Sequence, residues 1–130
     1  MTAIKESSTR NFNKELNVLA CPVSYVMNKI GGHWKPIILF QLMGGQPKRY
    51  SELKRAIPAI TEKMLIQHLK QLEADNLIIR KAEPVVPPFV TYKLSDAGQK
   101  LTPVLNAMAA WGMEDYQSNI DRELNQAVAI

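Results

Sequence analysis

The chain has 130 residues, a formal charge of +4 and a hydrophobic content of 46%, proportions of one ordinary folded domain rather than of a disordered or two-domain chain. Its apolar runs are too short for a membrane span, since Trp34 to Met43 is broken by Lys35, Pro36 and Gln41, and residues 1–15 are too polar for a secretory signal, so the expected location is the cytoplasm, with no membrane partner. One cysteine and two well-separated histidines exclude an internal disulfide and argue against a metal centre, which needs three or four suitably spaced ligands.

Residues 1–14 are expected to form a flexible arm, leaving 15–130 as a single domain. Cys21 stands just before Pro22, a residue favoured at the first helical position, and Val23, Val26, Met27 and Ile30 are spaced like one apolar helix face. Gly31-Gly32 ends that helix. The next helix begins near Trp34 and Pro36; carrying Ile37, Ile38, Leu39, Phe40 and Leu42, it is apolar nearly all round and is expected at the centre of the core, with Trp34 as a packing anchor. Gly44-Gly45-Gln46-Pro47 then turns the chain.

Ser51 is the expected cap of a short helix in which Leu53, Ala56 and Ile57 share a face, and Pro58 ends it. Thr61 is the expected cap of a longer one, where Leu65, Leu69 and Leu72 form a buried stripe. Lys63, Gln67 and Lys70 fall opposite. Lys donates to phosphate and Gln can bond bidentately to adenine, so this outward face has groove-reading chemistry; a merely solvated amphipathic helix is the alternative. Leu77–Lys81 and Val90–Leu94 are rich in β-branched and aromatic residues, and Val85-Val86-Pro87-Pro88 between them cannot be helical. A hairpin with a proline-stiffened tip is predicted, with Arg80, Lys81 and Lys93 on or near it. Ser95 can cap a last helix in which Leu101, Leu105, Met108 and Gly112 advance by four, three and four, and at Thr102-Pro103 that helix either kinks or restarts. Val104, Ala107, Trp111 and Tyr116 add a second apolar strip, more than one small domain would cover, so a partner copy is expected there.

Cys21-Pro22, Gly31-Gly32-His33-Trp34-Lys35, Arg49-Tyr50-Ser51-Glu52-Leu53, Leu69-Lys70-Gln71-Leu72-Glu73, Pro87-Pro88 and Tyr92-Lys93-Leu94-Ser95-Asp96-Ala97-Gly98 together resemble the HxlR-type transcriptional regulators, over most of the span from Cys21 to Trp111. The resemblance implies a MarR-related, dimeric winged helix-turn-helix that binds double-stranded DNA, and, as in several such proteins, a signal sensed through one N-terminal cysteine. His33 departs from the Lys that the family commonly carries before the Trp, which bears on a single contact to the DNA backbone.

Charge distribution agrees with this implication. From His33 to Ala82 nine basic residues stand against four acidic ones, a charge of +5, whereas from Leu94 to Ile130 two stand against five, a charge of −3. The fold expected is mostly α with a small β-hairpin wing, dimerising through N- and C-terminal helices. DNA contacts are expected from Thr61, Glu62, Lys63, Ile66, Gln67 and Lys70, from Arg49 and Ser51 ahead of them, and from Lys81, Pro87 and Pro88 in the 84–89 wing. Leu101, Leu105, Met108, Trp111 and Gly112 are the expected dimer interface.

Cys21, at the positive end of a helix, would be favoured as a thiolate and could sense oxidants or electrophiles; the other reading is a small buried hydrophobe. A regulator answering to an aromatic ligand, with no thiol chemistry, and a winged-helix module for protein partners stay open as alternatives. A thiol enzyme is disfavoured, because neither a His nor an acid adjoins Cys21 in sequence and no phosphate loop or paired carboxylates accompany it. No cofactor is expected.

Overall fold

Residues 21–128 are described by the structure, a computed structural model; the predicted arm at 1–14 and the predicted domain start at residue 15 lie outside them. The element order is α1 (Pro22–Ile30), α2 (Trp34–Gln41), β1 (Lys48–Arg49), α3 (Tyr50–Ala56), α4 (Glu62–Ala74), β2 (Ile78–Glu83), β3 (Phe89–Leu94), α5 (Asp96–Gln99) and α6 (Thr102–Val128). The strands form one antiparallel sheet in the order β1-β3-β2. This is a winged helix-turn-helix: helices α3 and α4 joined by a short turn, then a hairpin. Among the described residues no helix is long and apolar enough to cross a membrane.

Pro22 opens α1, where its missing N–H leaves no donor orphaned. Gly31 closes it, and a Cβ there would collide with the Met27 carbonyl. Ile30 is buried and Val26 packs partly buried against the core, but Val23 and Met27, the other half of the apolar face predicted for α1, remain 67% and 57% exposed. Lys29 Nζ reaches Asp75 Oδ1 at 3.4 Å and ties α1 to the end of α4.

Helix α2 buries Ile38 and Leu39, with Leu42 buried just beyond its end. It packs against α3, α4 and α6. Phe40 corrects the expectation of an all-round core helix: it is exposed, because those neighbours cover only part of the α2 circumference. Trp34 is partly buried against the core, as an anchor would be. Gly44 and Gly45, at φ +98 and +78, make the turn in a region that L side chains rarely adopt. The chain then enters β1, a two-residue strand too short to leave a periodic signature, with Lys48 opposite Tyr92 and Arg49 opposite Thr91.

Helix α3 starts two residues earlier than a Ser51 cap predicts. Arg49 occupies the cap position and its backbone N–H donates to Glu52 Oε1 at 3.1 Å, so Ser51 is a helical residue and not the cap. The far end of α4 closes with Asn76 in the left-handed region at φ 59. Asn76 N–H donates to Glu73 O at 3.0 Å and Leu77 N–H to Leu72 O at 2.9 Å, the paired bonds of a Schellman motif. Ser95 then fastens the sheet to this turn: its Oγ donates to Asn76 O at 2.6 Å and accepts from Gly98 N–H at 3.0 Å, while its N–H donates to Leu77 O at 3.0 Å. Gly98 is buried, and a Cβ would strike that same Leu77 carbonyl.

The helix that Ser95 caps is the four-residue α5; after Lys100-Leu101 the chain restarts as α6 with Pro103 in its first turn. Of the two outcomes open at Thr102-Pro103, the restart is found. At 27 residues α6 is roughly 40 Å long, and of its side chains Leu105 is the buried one.

Candidate nucleic-acid interface

The local chemistry of α4 orients it. Thr61 Oγ1 accepts from the Met64 N–H at 3.2 Å, satisfying one donor that a helix start leaves without a partner. Leu65, Leu69 and Leu72 are buried, which turns Lys63, Gln67 and Lys70 outward, and all three are exposed. Exposed Ile66 follows one edge of that face together with Glu62 and Glu73. Lys63 and Lys70 are therefore matched in number by Glu62 and Glu73. The positive excess of the region comes from neighbouring elements, Lys54 and Arg55 on α3, Arg49 on β1, and Arg80 and Lys81 on β2.

An open groove of about 570 Å³ separates α3 from the start of α4 and is lined by Tyr50, Ser51, Lys54, Arg55, Pro58 and Glu62. It brings the predicted Ser51 and Glu62 together and adds Lys54 and Arg55, which are absent from the predicted contacts; their i, i+1 placement beside the buried Leu53 gave no hint of the groove. Tyr50 Oη is buried there without a hydrogen-bond partner. Burial first, and then the charge of Glu62 and the neighbouring Tyr92, hold its phenol above the usual tyrosine pKa.

Strand register divides the cations of the wing. Ile78 pairs with Leu94 and both are buried, so alternation assigns Arg80 and Tyr92 to the same face of the sheet and Lys81, Glu83, Phe89, Thr91 and Lys93 to the opposite one. Arg49, opposite Thr91, belongs with the second group. Arg80 and Lys81 thus do not act as one patch. Lys81 Nζ lies 3.6 Å from Glu83 Oε1, with the pair largely exposed, a contact of little energetic weight. The Arg49 guanidinium carbon is 4.3 Å from the centroid of the Phe89 ring. Pro87 and Pro88 are exposed between the strands, beside Val86 at 99% exposure. Phe89 is absent from the predicted contacts; an aromatic directly after Pro-Pro was its only signal.

Away from this face, Cys21 is exposed at the N-cap of α1 and is not part of the hydrophobic core of the described residues. Leu105 must be corrected: it belongs to the protomer's own core rather than to an interface, because the stripe of α6 that includes Leu105 faces α2. Leu101 is partly buried against the same core. Met108, Trp111 and Gly112 are exposed, the first two at 50% and 68%. Met108 is shared by three apolar hollows, of about 720 Å³ with Pro103, Val104 and Trp111, of about 350 Å³ with Val23, Met27 and Ile30, and of about 260 Å³ with Ile37 and Phe40. Among the described residues no three His, Cys, Asp or Glu side chains gather as metal ligands would.

Comparison with known proteins matches residues 29–120 to the model of the HxlR-like helix-turn-helix family. The regulatory protein MalR of Fusobacterium mortiferum is 48% identical over 99 residues, covering 76% of this chain and 93% of MalR. Among solved structures, the redox regulator HypR in its reduced form superposes with a TM-score of 0.72 at 36% identity, covering 77% of this chain and 98% of HypR. A MarR-family transcriptional regulator from Porphyromonas gingivalis gives a TM-score of 0.69 at 47% identity, covering 72% and 91% of the two chains.

Proposed function

This chain belongs to the HxlR-like helix-turn-helix family of transcriptional regulators, and from that premise we propose that it acts as a homodimer on an inverted-repeat operator, inserting α4 of each protomer into successive major grooves. It is a regulator and not an enzyme. The observation that carries the proposal is the division of α4 into a leucine side packed in the core and an exposed Lys63-Gln67-Lys70 side. In B-DNA a helix fits the major groove, where Gln67 has the donor and acceptor to read an adenine edge while Lys63 and Lys70 neutralise phosphates. The wing tip at Pro87-Pro88 lies against the flanking backbone or minor groove. A two-fold axis places the two helices one DNA turn apart, about 34 Å, or a multiple of it.

Exposed apolar surface on α1 and the outer side of α6 supports dimerisation, with Met108, Trp111 and Gly112 at the contact. Cys21, exposed at the start of α1, is adjacent to that surface in sequence, and HypR is named a redox regulator. Attack of its thiolate on an oxidant or electrophile produces a sulfenic acid, a mixed disulfide or an adduct. A modified Cys21 tilts one protomer against the other and changes the separation of the two α4 helices. A second reading of the signal, an aromatic ligand, is favoured by the apolar hollow of about 350 Å³ between α1, α2 and α6.

Selection of genomic duplex fragments at two salt concentrations, repeated with diamide and with a quinone, tests both levels. Sequence-selective enrichment that diamide abolishes in wild type but not in Cys21→Ser is the expected result. Enrichment without selectivity sinks the operator reading, and an equal response in Cys21→Ser sinks the thiol reading in favour of the ligand.

A further inference from the structure

We propose that Phe89 is a positioning residue for DNA binding: its ring holds the Arg49 guanidinium beside the tip end of β3 so that its N–H fork meets a phosphate. The inference rests on the reading of α4 and the wing as the DNA-binding surface and adds to it a defined anchor between them.

The strand register makes the contact available. Arg49 is the Cα partner of Thr91, and Phe89 stands two residues before Thr91 on the same strand. Residues two apart share a face, so Arg49 and Phe89 are diagonal cross-strand neighbours, within reach of a long side chain and an aromatic one. The guanidinium carbon lies 4.3 Å from the ring centroid, well inside the range at which the ring quadrupole attracts a cation. A guanidinium laid flat on a ring spends none of its five N–H donors on it and leaves them to a bidentate acceptor.

Arg49 shares that face with Lys81 and Lys93. Lys81 is met by Glu83 at 3.6 Å, whereas among the described residues the Arg49 guanidinium has no carboxylate within ion-pair distance. Its backbone is fixed as well, because the N–H donates to Glu52 Oε1 at the start of α3. Arg49 is therefore held from below by α3 and from the side by β3, at the point where the helical reading unit joins the hairpin. An unrestrained arginine loses rotamer freedom when it meets a phosphate; the Phe89 ring removes part of that freedom before DNA arrives.

The test uses the full chain and a duplex that wild type selects from genomic fragments, titrated across salt concentrations. Phe89→Leu removes no charge, yet it is expected to weaken binding about three- to tenfold and to lower the salt slope by about one unit per protomer, as happens when one phosphate is no longer neutralised. Phe89→Tyr keeps the ring and the wild-type slope. Arg49→Gln lowers the slope equally, and adding Phe89→Leu to it changes nothing further. If Phe89→Leu does not fold, pentafluorophenylalanine at position 89, which keeps the shape but reverses the quadrupole, is expected to lower the slope instead. A wild-type slope in a folded Phe89→Leu or pentafluoro variant, or a wild-type slope in Arg49→Gln, overturns the proposal. Lys63→Ala and Lys70→Ala serve as the control: if they also match wild type, the DNA-binding surface itself is misassigned, and if they lose affinity while the position 89 variants do not, only the positioning role is lost.

Discussion

Individual side chains on this surface separate by what they touch. Gln67→Ala is expected to relax base preference at one operator position by about 1–3 kcal/mol, read by titration against single-base operator variants. Lys63→Ala or Lys70→Ala, by contrast, weakens specific and random duplexes alike and lowers the salt slope by roughly one unit for each lysine removed. Identical titrations for all three and wild type would falsify the assigned face. Tyr50 makes a different prediction, because its hydroxyl is buried without a partner. Removal of such a group as Tyr50→Phe is nearly neutral or stabilising at pH 7, since no hydrogen bond is lost. Its phenol is held above the usual pKa of 10.0, so the unfolded chain ionises first as pH rises. Wild type accordingly loses stability above about pH 10 relative to Tyr50→Phe, which denaturant melts on either side of that pH will show. Neither the orphan hydroxyl nor the Arg49 stack on Phe89 could be read from the sequence, since both depend on residues that only the strand register and the α3-α4 turn bring together.

Among the elements, α4 was legible in full: Thr61 at the cap, three leucines inward, two lysines and a glutamine outward. A 13-residue helix has room for several turns of one period, and its cap is a residue type with one dominant use. The hairpin was legible for a related reason, its proline tip and β-branched flanks. Short elements failed. β1 has two residues, too few for any alternation to show, and at α3 a nearby serine, a residue type that usually caps, drew the expected cap away from Arg49. The joint between α4 and the sheet is held by the hydrogen bonds of Ser95. Ser95→Ala leaves the Asn76 carbonyl and Gly98 N–H without their partner and is expected to cost about 1–3 kcal/mol. Gly98→Ala overpacks the Leu77 carbonyl and should cost a similar amount. Thermal and denaturant melts of both variants check this; unchanged midpoints would mean that the turn relaxes freely.

For the molecule as a whole, one protomer leaves too much apolar surface uncovered. Val23 and Met27 on α1, and Met108 and Trp111 on α6, are each at least half exposed; Met108 shares one hollow with Val23 and Met27 and another with Trp111, and contiguous patches of that kind mark interfaces. Trp111→Glu is expected to weaken self-association by at least about 2 kcal/mol and to reduce operator binding by more than it reduces binding to a half-site, measured by sedimentation and by titration on both duplexes. A monodisperse dimer with unchanged operator affinity would move the interface elsewhere. The sequence by itself determined the helices, the hairpin, the outward face of α4 and the membership of the family, because each is written in local periodicity, caps and turn residues. Tertiary structure alone decided that Leu105 belongs to the core while Met108 and Trp111 do not, that Arg80 and Lys81 lie on opposite faces, and that Arg49 meets Phe89. Periodicity states that a stripe is apolar or that residues alternate, but which stripe a neighbouring helix covers, and which strand lies beside which, is settled only when the elements pack.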